Sequence, residues 1–369
     1  MGKRKRSVET VGGLMGFDIS FFRGKRVLVT GHTGFKGTWL CRVLLDSGAD
    51  LIGYSRCSEK AVSLFELTGI EKEMIHVKGD VRDLRHLHDV FEKYRPEIVF
   101  HLAAQPIVRV SYAEPVYTYD VNVMGTVNML ECSRLTSGVR SVVNVTTDKV
   151  YKNREWERGY QEGDELDGYD PYSNSKSCSE LVTQSYRRSF FAESGQAVST
   201  ARAGNVIGGG DFSPDRIIPD CVRAAVRGDD IVLRNPYSVR PYQHVLDPVF
   251  GYLTIAAAQW DDPSLADCYN IGPDQADCLR TGELADLFVR EWGNGLRWVD
   301  RCDGGPHEAG LLMLDCTKMR TTLGWNLRWG IEEAVRKTVE WSKCWYSGGD
   351  VNECIKNQIA EYLETDTIR

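Results

Sequence analysis

Short apolar runs rich in β-branched residues alternate with longer stretches of helical periodicity along the first half of the chain. The runs span residues 26–30, 50–54, 74–77, 97–102, 141–146 and 198–202, and helical stretches at 37–46, 83–94, 121–135 and 175–190 lie between them. Runs that are apolar throughout are typical of strands buried on both faces, and alternation with helices favours parallel pairing. The pattern predicts an α/β fold with a Rossmann-type, doubly wound parallel sheet.

This rhythm loosens after about residue 205, where loops rich in glycine, proline and aspartate follow one another. Helical patterns return at 281–292 and 330–346. We expect a smaller C-terminal domain that binds a substrate and is interleaved with the larger one. The predicted division is a flexible tail at 1–20, a Rossmann domain at 21–205 to which 239–270 returns, a substrate domain at 206–238 and 271–350, and a C-terminal extension at 351–369.

Composition narrows the classes of partner. The 369 residues are 42% hydrophobic and 26% charged, and the net charge of −7 argues against a nucleic-acid-binding surface. No apolar run approaches the roughly 18 residues that span a bilayer. The 11 cysteines are scattered without a Cys-x-x-Cys pair, a pattern typical of reduced thiols in a cytoplasmic protein. We therefore expect a cytoplasmic protein with no nucleic-acid, membrane or metal partner.

A glycine-rich segment at 31–37 joins the first predicted strand to the first predicted helix. Glycines there permit a tight turn and close approach of a pyrophosphate to the backbone, while the helix start offers N–H groups and a favourable dipole. In this strand–helix context the motif predicts binding of a dinucleotide such as NAD. The candidate contacts are Gly31, Thr33, Gly34, Phe35, Lys36 and Gly37.

The second predicted strand ends in Tyr54, Ser55 and Arg56, without the acidic residue that commonly holds the adenosine ribose. Arg56 is suited to accepting a 2′-phosphate, so these residues leave NADP open beside NAD. An equally good reading of Arg56 is a solvated surface charge.

Tyr172 and Lys176 form a Tyr-x-x-x-Lys pair, which places both side chains on one face of a helix. Lys176 and a positively charged nicotinamide would both favour the phenolate and lower the pKa of Tyr172. Tyr172 could then take the proton of a sugar hydroxyl whose carbon gives up hydride. The pair follows Thr147, Asp148 and Lys149 at the end of the fifth predicted strand, which strengthens the catalytic interpretation.

Taken together, these segments resemble the nucleotide-sugar 4,6-dehydratases of the extended short-chain dehydrogenase/reductase family. The resemblance runs from about residue 22 to about residue 345 and rests on segments 31–37, 101–106, 122–126, 147–149, 153–156, 169–176, 202–211 and 234–244. The branch that acts on dTDP-glucose generally carries Asp-Glu where this chain has Asp148 and Lys149. Lysine at 149 resembles the branch that acts on CDP-glucose, which favours that substrate.

The resemblance implies a three-step chemistry. Tyr172 deprotonates the C4 hydroxyl as hydride leaves C4 for NAD⁺, water is lost across C5–C6, and hydride returns to C6. Thr147 would bond the reacting hydroxyl, Asp148 would protonate the leaving C6 hydroxyl and Lys149 would assist proton movement at C5. Further cofactor contacts implied by the family pattern, besides Tyr172 and Lys176, are Asp80, Val81, Leu102, Ala103, Ala104, Gln105 and Asn122.

The resemblance also implies how the nucleotide sugar is held. Asn205 corresponds to a position that binds the diphosphate through its amide, and His244 to a position near the phosphates. Arg240 would neutralise phosphate oxygens, for which the planar guanidinium is suited. Arg216 and Arg234 would either do the same or form surface ion pairs. Members of the family are commonly homodimers, so we expect a homodimer here as well.

A 4,6-dehydratase that acts on a dTDP-, GDP- or UDP-hexose remains open at this point, and so do two other classes. A nucleotide-sugar 4-epimerase would share the glycine loop, Tyr172 and Lys176, but would have no use for an acid and a base at 148 and 149. A non-enzymatic redox sensor on the same fold commonly loses the tyrosine or the lysine, and this chain keeps both.

Overall fold

The computed structural model describes residues 18–56, 62–301 and 310–365. In chain order its strands are β1 Arg26–Thr30, β2 Asp50–Ser55, β3 Ile75–Lys78, β4 Ile98–His101, β5 Ser141–Val145, β6 Ala197–Ala203, β7 Val206–Ile207, β8 Ile231–Leu233, β9 Val239–Arg240, β10 Gln243–His244, β11 Cys268–Ile271, β12 Leu279–Arg280 and β13 Trp298–Asp300. Seven of them form one parallel sheet in the order β11-β6-β5-β4-β1-β2-β3.

The helices connect and cover these strands. They are α1 Phe35–Asp46, α2 Leu64–Thr68, α3 Leu84–Tyr94, α4 Val108–Ala113, α5 Pro115–Tyr119, α6 Gly125–Leu135, α7 Pro171–Tyr186, α8 Ile217–Arg227, α9 Leu246–Asp261, α10 Thr281–Trp292, α11 Thr317–Leu323, α12 Ile331–Tyr346 and α13 Val351–Glu364. A π-helical turn at Asp120–Met124 joins α5 to α6, and another at Arg187–Phe191 extends α7.

Successive side chains of a strand point to opposite faces of the sheet. Alternate residues of the central strands therefore pack in different apolar cores. Val27 and Val29 of β1 pack in one apolar cluster with α1, α9 and α13, whereas Leu28 packs in a second cluster with α3 and α6. Strands β4, β5 and β6 are buried along their whole length. Helices therefore cover both faces of the sheet, which confirms the predicted doubly wound α/β fold.

A smaller apolar core lies outside the main sheet, among β8, α8, α10 and α12. Its members include Ile231, Phe288 and Val335. Helix α13, by contrast, packs in the main core through Ile355 and Ile359, so the residues expected to form an extension contribute to the larger body. The predicted domain boundaries themselves stay a prediction.

The predicted flexible tail overlaps a defined turn. Asp18 accepts a 2.9 Å hydrogen bond from the backbone N–H of Ser20 and caps the 3-10 turn Ile19–Phe22, and Phe22 is fully buried. Residues 1–17 lie outside the described part of the chain. Over the three described ranges, no helix has the length and apolar character needed to cross a membrane.

The strand order reverses between β1 and β4, since the chain moves outward from β1 to β2 and β3 and then returns to start β4 on the other side. A crevice opens at the carboxyl ends of the strands at such a reversal, and it is where this class of sheet binds ligands. The glycine loop follows β1, and the 102–105 segment follows β4. The topology thus brings both predicted cofactor segments to one place.

Candidate active site

The glycine loop is shaped by close backbone packing. Gly31 has φ +73°, and a Cβ there would lie 2.7 Å from the backbone nitrogen of Ala103. A Cβ on Gly37 would lie 2.3 Å from the carbonyl oxygen of Gly31. Gly34 is the exposed N-cap of the twelve-residue helix α1, which has no side-chain cap. The start of α1 is therefore open in the manner that suits a pyrophosphate.

The groups predicted to hold the adenosine lie together beside this loop. Thr33 and Ser55 share a 2.8 Å hydrogen bond between their hydroxyls. Arg56 lies 3.8 Å from a carboxylate oxygen of Asp80, which also accepts a hydrogen bond of 2.8 Å from Arg82. That bond to Arg82 lowers the pKa of Asp80 and keeps it charged. The position of Arg56 is compatible with both NAD and NADP.

Asn122 is hydrogen-bonded to the 102–105 segment, which was predicted to contact the cofactor. Its amide oxygen accepts from the backbone N–H of Gln105 at 2.8 Å, and its nitrogen donates to the Gln105 carbonyl at 3.1 Å and to the Ser175 hydroxyl at 2.9 Å. The side chain is buried. The structure thus corrects the expectation of a direct cofactor contact, because the amide of Asn122 is committed to joining the 102–105 segment to α7. Leu102, Ala103 and Ala104 are only partly buried.

Helix α7 positions Tyr172 and Lys176. It begins at Pro171 under an Asp170 cap, whose carboxylate accepts from the backbone N–H of Ser173 at 3.0 Å. Lys176 is buried and donates to the carbonyl of Val145 at 3.1 Å, which fastens the helix to the end of β5. Burial lowers the pKa of Lys176 to about 8, with Glu180 opposing the shift.

The pKa of Tyr172 is set by opposing contributions. Burial raises the pKa of its hydroxyl to about 12, because the phenolate is poorly solvated, while a hydrogen bond with Thr147 and the charge of Arg216 act in the opposite direction. The predicted lowering of this pKa by Lys176 together with a positively charged nicotinamide stays a prediction.

Asp148 is almost fully buried in the short turn after β5. One of its oxygens accepts a 2.9 Å hydrogen bond from the Thr147 hydroxyl, and the other has no hydrogen-bond partner among the described residues. Burial raises the pKa of the carboxyl, and the charges of Lys149, Arg240 and Lys36 only partly counter this. A carboxyl of this kind is suited to donating a proton.

One cavity of about 640 Å³ brings most of the predicted chemistry together. Its wall includes the predicted residues Phe35, Lys36, Thr147, Asp148, Lys149, Tyr172, Asn205, Arg216, Arg234 and Arg240. Lys36 was expected to serve the cofactor alone, yet it faces this cavity near Asp148 and Lys176. Burial, reinforced by the charges of Arg216 and Lys176, lowers the pKa of Lys36 to about 7.

The comparisons with known proteins agree with this arrangement. Residues 28–338 match the protein-family model for GDP-mannose 4,6 dehydratase. The chain belongs to this family. It is 44% identical to CDP-glucose 4,6-dehydratase of Salmonella typhimurium over 95% of this chain and 99% of the relative. It is also 25% identical to CDP-paratose 2-epimerase of Salmonella typhi, over 86% of this chain and 99% of that protein.

Solved structures show the same fold. UDP-glucose 4-epimerase of Thermus thermophilus, solved in complex with NAD, is 26% identical in sequence to this chain. The TM-score between the two structures is 0.74. The match covers 86% of this chain and 99% of the epimerase. This chain and that epimerase thus share one fold.

Two of the three arginines that were predicted to bind phosphate form ion pairs with aspartates of the cavity wall. Arg216 pairs with Asp211 at 3.0 Å, and Arg234 pairs with Asp215 at 2.6 Å. Arg240 is buried and donates to the carbonyl of Val239 at 2.9 Å. The structure therefore brings all three arginines to the wall of one cavity, with ion pairs orienting two of them.

His244 does not reach the cavity, so the expectation of a phosphate contact is wrong. Its ring is fully buried against Trp39 and Trp329, at centroid distances of 5.8 and 4.7 Å. Its Nδ1 accepts from the backbone N–H of Leu246 at 3.3 Å, and burial lowers its pKa to about 3. A neutral, enclosed imidazole is part of the core.

Sequence reasoning missed other residues of the cavity wall. They are Arg109, Asp215, Asp220, Tyr237 and Asp300. Arg109 follows the 102–105 segment closely, which is a signal that could have found it. Asp300 lies far along the chain from the other groups, and only the pairing of β13 with β8 brings it to them.

Proposed function

We propose that this protein is an NAD-dependent 4,6-dehydratase whose substrate is CDP-glucose and whose product is CDP-4-keto-6-deoxyglucose. The observation that carries the proposal is the buried Asp148 in the same cavity wall as Lys149 and Tyr172. An epimerase needs no acid and base beside the tyrosine, whereas loss of water requires both. The 44% identity to the Salmonella typhimurium enzyme supports CDP-glucose as the substrate.

The residues of the glycine loop fit NAD. Close packing of Gly31 and Gly37 and the uncapped start of α1 leave room for a pyrophosphate. NAD would be held there and between Asp80 and the 102–105 segment. When bound, NAD supplies the hydride acceptor for C4 of the sugar and the hydride donor for C6.

The side chains of the cavity then divide the proton transfers. Tyr172 takes the proton of the C4 hydroxyl, which Thr147 orients through its own hydroxyl. A ketone at C4 acidifies the proton at C5, and Lys149 assists both its removal and its return to C5 when C6 is reduced. Asp148 gives a proton to the departing C6 hydroxyl, which leaves as water. Each transfer contributes about 10²- to 10⁴-fold to the rate.

The diphosphate of the substrate would lie against the arginines. Arg216, Arg234 and Arg240 present planar guanidinium groups, and Asn205 presents an amide in the same wall. These groups hold the sugar at a fixed distance from Tyr172. Cytosine as the base is supported by the identity to the Salmonella typhimurium enzyme.

The experiment is mass spectrometry of products after incubation with CDP-, dTDP-, UDP- and GDP-hexoses, with and without added NAD⁺. Loss of one water from CDP-glucose supports both reaction and substrate. Loss from another nucleotide sugar keeps the reaction and rejects the substrate. Unchanged mass in every mixture rejects a dehydratase and directs attention to epimerisation, which leaves the mass unchanged.

We also infer that two copies pair through the surface of α5 and α7. Val116 is 82% exposed and Leu181 is 53% exposed, with Met124 between them in the π turn. Exposed apolar side chains clustered on neighbouring helices are typical of a protein interface. Light scattering of Val116→Lys and Leu181→Lys should show a monomer, while Leu84→Lys on α3 should leave a dimer intact.

A cytoplasmic location is part of the same proposal. The cysteines in the described ranges are free thiols, many of them buried, as in proteins from reducing compartments. Nucleotide-sugar chemistry fits that compartment. Cell fractionation with an antibody to the chain would test it.

A further inference from the structure

The cavity wall contains a group of residues beyond the catalytic and arginine side chains. Strands β8 and β13 run parallel, with Leu233 opposite Asp300, and both residues line the cavity. Tyr237 follows β8 and is 71% exposed. Its hydroxyl donates a hydrogen bond of 3.3 Å to Oδ2 of Asp300. An acid and an aromatic ring are thus presented together to the cavity.

The acids of the cavity wall differ in their partners. Asp211 pairs with Arg216, Asp215 with Arg234, and Asp220 with Arg223. Their charges are balanced by guanidinium groups in the part of the wall suited to phosphate. Asp300 instead accepts a hydrogen bond from the hydroxyl of Tyr237, which orients the carboxylate.

A carboxylate that forms no ion pair within the described ranges is unsuited to the other parts of a nucleotide sugar. It would repel the diphosphate, and the sugar is assigned to the wall that holds Tyr172 and Asp148. A carboxylate accepts hydrogen bonds and donates none. The ligand group it suits is therefore an amino group, and an aromatic ring beside it suits the face of a planar base.

The pyrimidine bases differ at the relevant atom. Cytosine carries an amino group at position 4, whereas uracil and thymine carry a carbonyl oxygen there. Aspartate and glutamate recognise cytosine by accepting from this amino group. A carbonyl facing the same carboxylate would meet an acceptor, and such an unpaired contact disfavours that ligand relative to cytosine.

We propose that Asp300, oriented by Tyr237, reads the 4-amino group of a cytosine base and so determines the specificity of this protein for a cytidine nucleotide sugar. This inference rests on the proposed function and deepens it. Leu233 and the neighbouring backbone of β8 hold the base in place. The base then lies next to the substrate phosphate that Arg234 binds. Asp300 is a specificity-determining residue and takes no part in the proton transfers.

The test compares wild-type protein with Asp300→Asn. Asparagine has nearly the same shape but offers both a donor and an acceptor, so it tolerates the carbonyl of uracil. We expect the ratio of the Kd for UDP to that for CDP, measured by calorimetry, to fall about 10- to 100-fold in the variant. The ratio of kcat/KM for CDP-glucose and UDP-glucose should fall in parallel.

A matched control is Asp230→Asn. Asp230 precedes β8 and pairs with Arg297 at 2.8 Å, close to the same strand pair but outside the cavity wall. In Asp230→Asn, the ratio of the Kd values for UDP and CDP should remain that of wild type, and so should the ratio of kcat/KM for CDP-glucose and UDP-glucose. Tyr237→Phe keeps the ring and removes the hydroxyl, and it should lower the preference for CDP by less than Asp300→Asn does.

The outcomes separate this inference from the proposed function. If wild-type protein dehydrates CDP-glucose and Asp300→Asn keeps the wild-type ratio of UDP to CDP binding, the base-reading role is overturned alone. If wild-type protein dehydrates no nucleotide sugar, the proposed function is overturned. A shift in nucleotide preference caused by Asp300→Asn would even then support the reading of the base.

Discussion

The hydroxyl of Thr147 donates a hydrogen bond of 2.9 Å to Oδ1 of Asp148, and both side chains line the wall that contains Tyr172. The carboxyl of Asp148 is buried, and burial raises its pKa. This pairing holds one oxygen of the carboxyl in place. The other oxygen can then meet the substrate.

Asp148→Asn should keep the first oxidation and lose the elimination of water. The amide retains the shape and can still accept from Thr147, but it cannot protonate the leaving hydroxyl. We expect product formation from CDP-glucose to fall about 10²- to 10⁴-fold. Stopped-flow absorbance should show reduced cofactor that accumulates and persists. Asp164→Asn, which alters an exposed ion pair with Arg158, is the control; a normal rate of water loss in Asp148→Asn would remove the acid role.

Tyr172→Phe should abolish the oxidation itself. Phenylalanine fills the same space but cannot take the proton of the C4 hydroxyl, so no reduced cofactor should form in the stopped flow. Binding of CDP should stay within a few-fold of wild type, because the arginines are untouched. Tyr169→Phe is the matched control, since Tyr169 is 78% exposed on the same segment. A redox sensor would give no catalytic loss in Tyr172→Phe.

Lys149→Ala should slow the exchange of the C5 proton with solvent. Lys149 is partly buried in the cavity wall beside Asp148. Incubation with CDP-glucose in deuterated water followed by NMR of the recovered sugar measures the exchange. Lys152→Ala, which changes an exposed lysine paired with Glu165 at 3.0 Å, serves as the control. Full exchange in Lys149→Ala would assign the removal of the C5 proton to another group, and Lys36 would be examined next.

The sequence was sufficient where function depends on short segments. The glycine loop, the Tyr172–Lys176 pair and the turn at Asp148 each lie within a few residues, so their geometry follows from one strand end or one helix. The strands of the main sheet were predicted within a residue or two, except β11. Its short Cys-Tyr-Asn-Ile run mixes polar and apolar residues and is buried only because it pairs with β6.

The sequence was insufficient where distant segments meet. His244 sits in a segment resembling a phosphate-binding one, but packing against Trp39 and Trp329 places it in the core. The role of Asp300 depends on the pairing of β13 with β8. The pKa of Tyr172 depends on burial by surrounding elements. Local spacing contains no information about such contacts.

A buried ion pair behind the active site should be important for stability. Arg202 and Glu180 lie 2.8 Å apart, both side chains are fully buried, and Glu180 also accepts from Thr146 and Thr200. Glu180→Gln would leave the Arg202 charge without its counter-ion. We expect a loss of about 3–5 kcal/mol in the free energy of unfolding by urea.

The control for this pair is an exposed one. Glu131 and Arg134 lie 2.6 Å apart on α6, where water screens the charges. Glu131→Gln should lower the free energy of unfolding by less than about 1 kcal/mol. Equal effects of the two substitutions would show that burial of the Arg202–Glu180 pair has no energetic consequence.

Asp247 should make stability depend on pH. Its buried carboxyl accepts from the Tyr362 hydroxyl at 2.7 Å and from the backbone N–H of Arg328 at 3.0 Å, yet burial raises its pKa to about 7. The unfolded chain releases this proton near pH ~4. Between these values the folded state holds a proton that the unfolded state has lost. The contribution of Asp247 to stability is therefore full below pH ~4 and falls as pH rises to about 7, by up to about 1.4 kcal/mol per pH unit.

Asp247→Asn removes this titration while its amide oxygen can still accept both hydrogen bonds. The free energy of unfolding of the variant minus that of wild type should rise between pH ~4 and about 7 and then level off. Urea unfolding at a series of pH values gives this difference, in which the buried histidines cancel because both proteins contain them. Asp262→Asn, at an exposed turn cap, should give a difference that is flat across the same interval. A flat difference for Asp247→Asn as well would mean that the carboxyl is charged in the folded protein, and that Tyr362 and the backbone of Arg328 stabilise the charge despite its burial.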